Sequence, residues 1–216
     1  RVLVDQGIKM LVVACNTASA LALDDLSLEF MDIPVIGVLK PGADAACLGS
    51  TEGRIAVACT EATASHGAYE REIRRIRPEA HVIARPCSVF VAMAEEGWTS
   101  GPIAEAVAHE YLDPLFATDA PPATRPDCLV LGCTHFPPLK DTLQKVVGPE
   151  VLIVDSARTT AEAVHDELRK RHLLRPPGSP TFLRLMATDS PQRFARVAAN
   201  LIPPDFLPER IELVDL

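Results

Sequence analysis

Short, continuous apolar runs rich in β-branched residues alternate with longer helical patterns along this chain, and that alternation constrains the fold more than any other feature. The runs fall at residues 10–14, 35–38, 54–58, 81–84, 128–131, 151–154, 181–186 and 211–213. Helical patterns fill residues 17–30, 42–48, 63–76, 102–116, 137–146, 157–171 and 191–201. An uninterrupted apolar strand is buried on both faces, and parallel strands covered by crossover helices meet that condition. The pattern therefore predicts an α/β protein with mostly parallel sheets flanked by helices. Pro102, Pro137 and Pro191 suit first helical turns. Residues 117–126 and 175–180, rich in Pro and small polar side chains, read as loops.

A chain of 216 residues, 48% apolar, has room for one large or two small domains with a real core. Its net charge of −8 and lack of a long basic block argue against a nucleic-acid partner. No apolar stretch approaches the roughly 18 residues of a membrane span, so no membrane partner is expected. Six cysteines in a chain of this length are too few for a secreted disulfide scaffold, and the cytoplasm is the expected location. Residues 1–7 read as the end of a helix closing on Gly7, with earlier sequence expected upstream.

Two of the runs end in a thiol. Met10-Leu11-Val12-Val13-Ala14 leads into Cys15-Asn16-Thr17-Ala18-Ser19, and Cys128-Leu129-Val130-Leu131-Gly132 leads into Cys133-Thr134-His135-Phe136-Pro137. Ligands of open parallel sheets bind beyond the carboxyl ends of the strands, where following helices aim free N–H groups. Cys15, Thr60 and Cys133 all stand at such ends. A thiolate is tolerated there, and so is a substrate carboxylate. One thiol on either side of a carbon can remove a proton from one face and return it on the other, which is the chemistry of a cofactor-independent racemase. Cys47, Cys59, Cys87 and Cys128 read as small buried hydrophobes.

Cys133, His135 and Cys128 make a poor zinc pattern, because structural sites favour paired short spacings. His135 is better suited to orienting substrate or tuning the neighbouring thiol. Glu95, next to Glu96 and Gly97, could hold that imidazole in one tautomer. No glycine-rich phosphate loop follows a strand, and no cofactor or metal is expected.

At this point the residues resemble a known family, the glutamate racemases of the aspartate/glutamate racemase superfamily. The segments around Cys15 and Cys133 are similar to its two signatures. Lesser similarities include Pro41-Gly42-Ala43, Thr60-Glu61-Ala62-Thr63 with Ala68-Tyr69, and Thr188 through Phe194. The resemblance implies that Cys15 and Cys133 are the acid/base pair, with His135 and Glu95 assisting the second thiol. It implies that Asn16, Thr17, Thr63, Thr134 and His135 bind the substrate, glutamate. It further implies two pseudo-symmetric lobes, residues 1–39 plus 156–216 and residues 40–155, with the active site in the cleft between them, and a possible homodimer. The family's opening strand, ending in Asp-Ser-Gly, has no counterpart here. The first lobe is therefore expected to be incomplete, through start-site choice, and to expose apolar side chains.

The resulting expectation is interconversion of L- and D-glutamate, supplying peptidoglycan synthesis. The alternatives are a non-catalytic remnant that binds an amino acid or a protein, and a racemase for another substrate such as aspartate or a hydantoin.

Overall fold

The computed structural model describes residues 1–117, 121, 124–207 and 210–215. In chain order the elements are α1 (Val2–Asp5), β1 (Leu11–Val13), α2 (Asn16–Glu29), β2 (Val35–Gly37), α3 (Leu39–Gly49), β3 (Arg54–Cys59), α4 (Glu61–His66), α5 (Ala68–Ile76), β4 (His81–Pro86), α6 (Val89–Glu95), α7 (Pro102–Phe116), β5 (Cys128–Gly132), α8 (Lys140–Val147), β6 (Leu152–Asp155), α9 (Ser156–Lys170), β7 (Met186–Ala187), α10 (Pro191–Leu201) and β8 (Glu212–Leu213). A four-stranded sheet runs in the order β4-β3-β5-β6, and two-stranded sheets pair β1 with β2 and β7 with β8. Every one of these pairings is parallel. None of the described helices is long and apolar enough to cross a membrane.

The four-stranded sheet is a three-layer core. Alternate residues of a strand face opposite sides, and the buried residues divide accordingly. Ala56, Ala58, Leu129 and Leu131 face Phe90 and Met93 of α6, Leu112 of α7 and Leu143 of α8. Ile55, Val57, Cys59 and Val130 face Ala43 of α3 and Tyr69 and Ile73 of α5. Residues 55–59 and 128–131 have no accessible surface, which is why they read as unbroken apolar runs. At the amino ends of these strands Asp127 accepts hydrogen bonds from the Ser50 and Thr51 hydroxyls and the Glu52 and Arg54 N–H groups. Burial alone would raise its carboxyl, but these donors hold it below the usual carboxylate range.

The β1–β2 region is packed less completely. Among the described residues β1 pairs along one edge alone, with β2. Val12 is 38% exposed and Phe182 78%. A groove of about 650 Å³ runs between Met10 and Val12 of the adjoining β1, Val164 and Leu168 of α9, and Met186 of β7.

Several expected boundaries move, each for a local reason. The helix expected over residues 63–76 is two helices, because Gly67 takes the left-handed conformation (φ 65°) that ends α4. The strand expected over 181–186 pairs only at Met186–Ala187, where β8 lies alongside. Part of the expected loop at 117–126 lies outside the described residues.

Candidate active site

The register of the large sheet aligns its carboxyl ends. Cys59 is paired with Pro86 on one side and with Gly132 on the other. The residues that follow, Thr60 and Cys133, are therefore neighbours at one rim. Thr60 caps α4, its Oγ1 accepting from the Thr63 N–H at 3.3 Å.

Cys133 differs from its expected setting. No α-helix follows it directly; a turn leads through Phe136 into a 3-10 turn over Pro137–Leu139, and α8 begins afterwards. The donors at this thiol come from the turn itself. Cys133 is 6% exposed. Burial pushes its thiol up, the His135 N–H draws it down, the charge of Cys15 raises it, and the Thr134 hydroxyl and N–H lower it, leaving it above the ordinary thiol value. Cys128, by contrast, begins the five-residue strand that Cys133 follows, roughly 16 Å away at about 3.3 Å per residue. A shared metal site for these two is excluded.

Cys15 occupies the amino terminus of α2. It is exposed, and its Sγ accepts the Ala18 N–H at 3.5 Å as the helix cap. The next two residues tie this helix end to the large sheet. Thr17 Oγ1 lies 2.9 Å from Thr60 Oγ1 and 3.1 Å from Thr63 Oγ1, and the latter two are 3.1 Å apart, so three hydroxyls close a triangle. Asn16 is 2% exposed; its Oδ1 accepts from the Tyr69 hydroxyl at 2.7 Å. Among the described residues its Nδ2 has no hydrogen-bond partner. A buried amide donor left unpaired is costly, and it marks a point where a ligand acceptor would be held.

Around Cys133 a chain of polar groups extends toward the carboxy-terminal helix. His135 Nδ1 lies 3.9 Å from Cys133 Sγ and 3.4 Å from Thr134 Oγ1. His135 Nε2 lies 3.3 Å from Glu95 Oε1. Glu95 Oε2 accepts from Arg193 Nη2 at 3.1 Å, and the Glu95 carbonyl accepts from Asn200 Nδ2 at 2.9 Å. Glu95 closes α6 and is held there from α10.

The expected residues therefore gather at one rim: Cys15, Asn16 and Thr17 at the start of α2, Thr63 in α4, Cys133, Thr134 and His135 after β5, and Glu95 at the end of α6. A cavity of about 360 Å³ opens beside Thr134, between Val12 and Ala14 on one side and Ser156, Thr160 and Val164 of α9 on the other. Sequence reading missed the roles in this network of Tyr69 and Arg193. Both lie in segments whose family resemblance was visible, Ala68-Tyr69 and Thr188 through Phe194, but a contact between distant segments leaves no periodic trace.

Residues 1–164 match the family model for Asp/Glu/Hydantoin racemase. The glutamate racemase of Symbiobacterium thermophilum is 44% identical over 200 residues, covering 93% of this chain and 70% of that protein. That of Geobacter metallireducens is 45% identical over 200 residues, covering 93% and 72%. Among solved structures, a glutamate racemase isoform from Bacillus anthracis superposes with a TM-score of 0.86 at 31% identity, covering 99% of this chain and 77% of that one. The glutamate racemase of Francisella tularensis, solved with D-glutamate, gives a TM-score of 0.85 at 32% identity, covering 99% and 76%. With this architecture and these relatives, the chain belongs to the glutamate racemases, isomerases of the Asp/Glu/Hydantoin racemase family.

Proposed function

We propose that this protein interconverts L- and D-glutamate without a cofactor, Cys15 and Cys133 exchanging a proton with the α-carbon from opposite faces. The observation that carries the reading is the hydroxyl triangle of Thr17, Thr60 and Thr63. It docks the helix end bearing Cys15 against the strand ends bearing Cys133. The relative from Francisella tularensis, solved with D-glutamate, supports the choice of substrate.

In this reading the cleft lies between residues 1–39 plus 156–216 and residues 40–155. The α-proton of an amino acid is weakly acidic, so the carbanion-like state needs fixed donors around the growing charge. Asn16 Nδ2, the Thr17 and Thr134 hydroxyls and the N–H groups of the Cys133 turn supply them. One cysteine starts as thiolate and the other as thiol, and the states exchange after each turnover. Burial favours Cys133 as the protonated partner at rest. His135, held by Glu95, stands beside Cys133 and orients that half of the site. D-glutamate made in this way would enter peptidoglycan synthesis.

The test is incubation of the purified chain with L-glutamate in deuterated water, followed by chiral separation and mass analysis. D-glutamate carrying deuterium at the α-carbon is expected. Absence of both inversion and α-exchange would overturn the reading.

A further inference from the structure

Tyr69 links the two halves of the site, although it carries no chemistry of its own. It is 1% exposed, deep between α5 and the large sheet. Its ring is accommodated by two glycines, each next to a segment that matters. A Cβ at Gly42 would stand 3.1 Å from the phenol oxygen, and one at Gly132, the residue before Cys133, would stand 3.1 Å from Cε2. Both spacings are too tight for an undisturbed side chain in a close-packed interior. The hydroxyl that this slot delivers donates to Asn16 Oδ1, next to Cys15.

The direction of that bond decides the orientation of the amide. Burial, then the charges of Cys59 and Cys133, push the phenol far above its ordinary value, so it keeps its proton, and Asn16 Oδ1 at 2.7 Å is the acceptor placed to receive that proton. Only an amide oxygen can receive it. Oδ1 is therefore turned to Tyr69, and Nδ2 is left as the buried donor without a protein partner.

We propose that Tyr69 is a positioning residue of the isomerase site: through its hydrogen bond to Asn16 it fixes the amide so that Nδ2 is presented to an oxygen of the bound amino acid. The proposal rests on the glutamate racemase reading above. It gives Gly42 a purpose, keeping clear the space through which the phenol reaches Asn16, whereas a Cβ at Gly132 would meet the Ala58 carbonyl oxygen at 3.0 Å as well as the ring. A tyrosine that merely fills the core would contribute to stability alone, and its hydroxyl would be indifferent to substrate.

Tyr69→Phe removes the hydroxyl and preserves the ring. In the full chain, Tyr69→Phe is expected to remain folded and to lower kcat/KM for glutamate about tenfold, the scale of one oriented hydrogen bond. The loss is expected mainly in KM. On an Asn16→Ala background the same change is expected to cost nothing further, because the group it orients is gone. Equal losses on both backgrounds, or unchanged kinetics, would overturn the proposal. A second measurement is independent of activity. In asparagine-15N-labelled protein, the side-chain resonances that Asn16→Ala removes should shift or broaden in Tyr69→Phe; unchanged resonances refute the amide orientation. A chain that neither inverts nor exchanges glutamate, yet shows the resonance change, would refute the racemase reading and leave the Tyr69–Asn16 contact standing.

Discussion

The two cysteines end two strands in similar sequence surroundings, yet their settings differ. Cys15 is exposed at a helix amino terminus, with one long contact from the Ala18 N–H. Cys133 is buried in a turn, with donors from Thr134 and His135 and a histidine–glutamate–arginine chain behind it. One half of the site is open and lightly supported; the other is enclosed and buttressed. The proposed proton transfer between enantiomers does not require equal thiols. It requires that the free-energy difference between the two protonation states be small enough to cross in both directions. The enclosed cysteine loses hydration and regains donors, and the balance leaves its thiol above the ordinary value.

The comparison is broken most severely at the sulfurs. Cys15→Ala and Cys133→Ala should each lower racemisation by at least about 10³-fold, the upper range of acid–base catalysis, read by chiral chromatography. Full activity in either variant would remove that cysteine from the mechanism. Next comes the support behind Cys133. Glu95→Gln keeps the size of the side chain but removes its charge, and should lower kcat by up to about 10²-fold, the scale of a misplaced catalytic group. With α-deuterated L- and D-glutamate, the isotope effect should grow in the direction that loads the Cys133 half more than in the other. Equal growth would mean that the two halves share this support.

Alkylation tests exposure directly. Iodoacetamide followed by peptide mapping should label Cys15 ahead of Cys133, Cys59, Cys87 and Cys128, with glutamate protecting Cys15. Prior labelling of Cys133 would reverse the assignment of open and enclosed halves. The smallest effect concerns alkaline stability. Burial pushes the Cys59, Cys87 and Cys128 thiols up to about 12, and raises Cys133 as well. A thiol whose native value lies above its unfolded value stabilises the fold fully below about pH 8.5, and the contribution is lost as pH rises toward the native value. Denaturation midpoints should therefore fall progressively above that pH, and Cys59→Ala should flatten the slope. A midpoint indifferent to pH between 8 and 11 would contradict the buried-thiol account.

Much of this architecture was legible in the sequence where local and global demands coincide. Residues 55–58 and 128–131 read as strands because both faces of the sheet are covered, so no polar residue interrupts the run. Helices α7 and α10 begin at Pro102 and Pro191 as their prolines announce. The split at Gly67 was obscured because helical apolar spacing continues through it. The helix expected from Pro137 opens instead with a 3-10 turn over Pro137–Leu139, since Pro137-Pro138 suits either conformation. Cys15, Cys133, Asn16 and Thr17 could be nominated from strand-end position and family resemblance. The grip of Tyr69 on Asn16 and of Arg193 on Glu95 could not, since these join segments 53 and 98 residues apart.

The attachment of α10 to α6 has a consequence for biosynthesis. Arg193, Arg196 and Asn200 hold Glu95 and Glu96 across 98 to 105 residues of chain. Ribosomes add about 5–20 residues per second, so Glu95 waits roughly 5 to 20 s for partners that do not yet exist. Its contact with His135 needs only 40 further residues of chain, whereas the clamp from α10 needs 98 to 105. The surroundings of Cys133 are thus assembled in two stages, and a nascent chain stalled between them carries both sulfurs while the carboxylate behind the second is still unanchored.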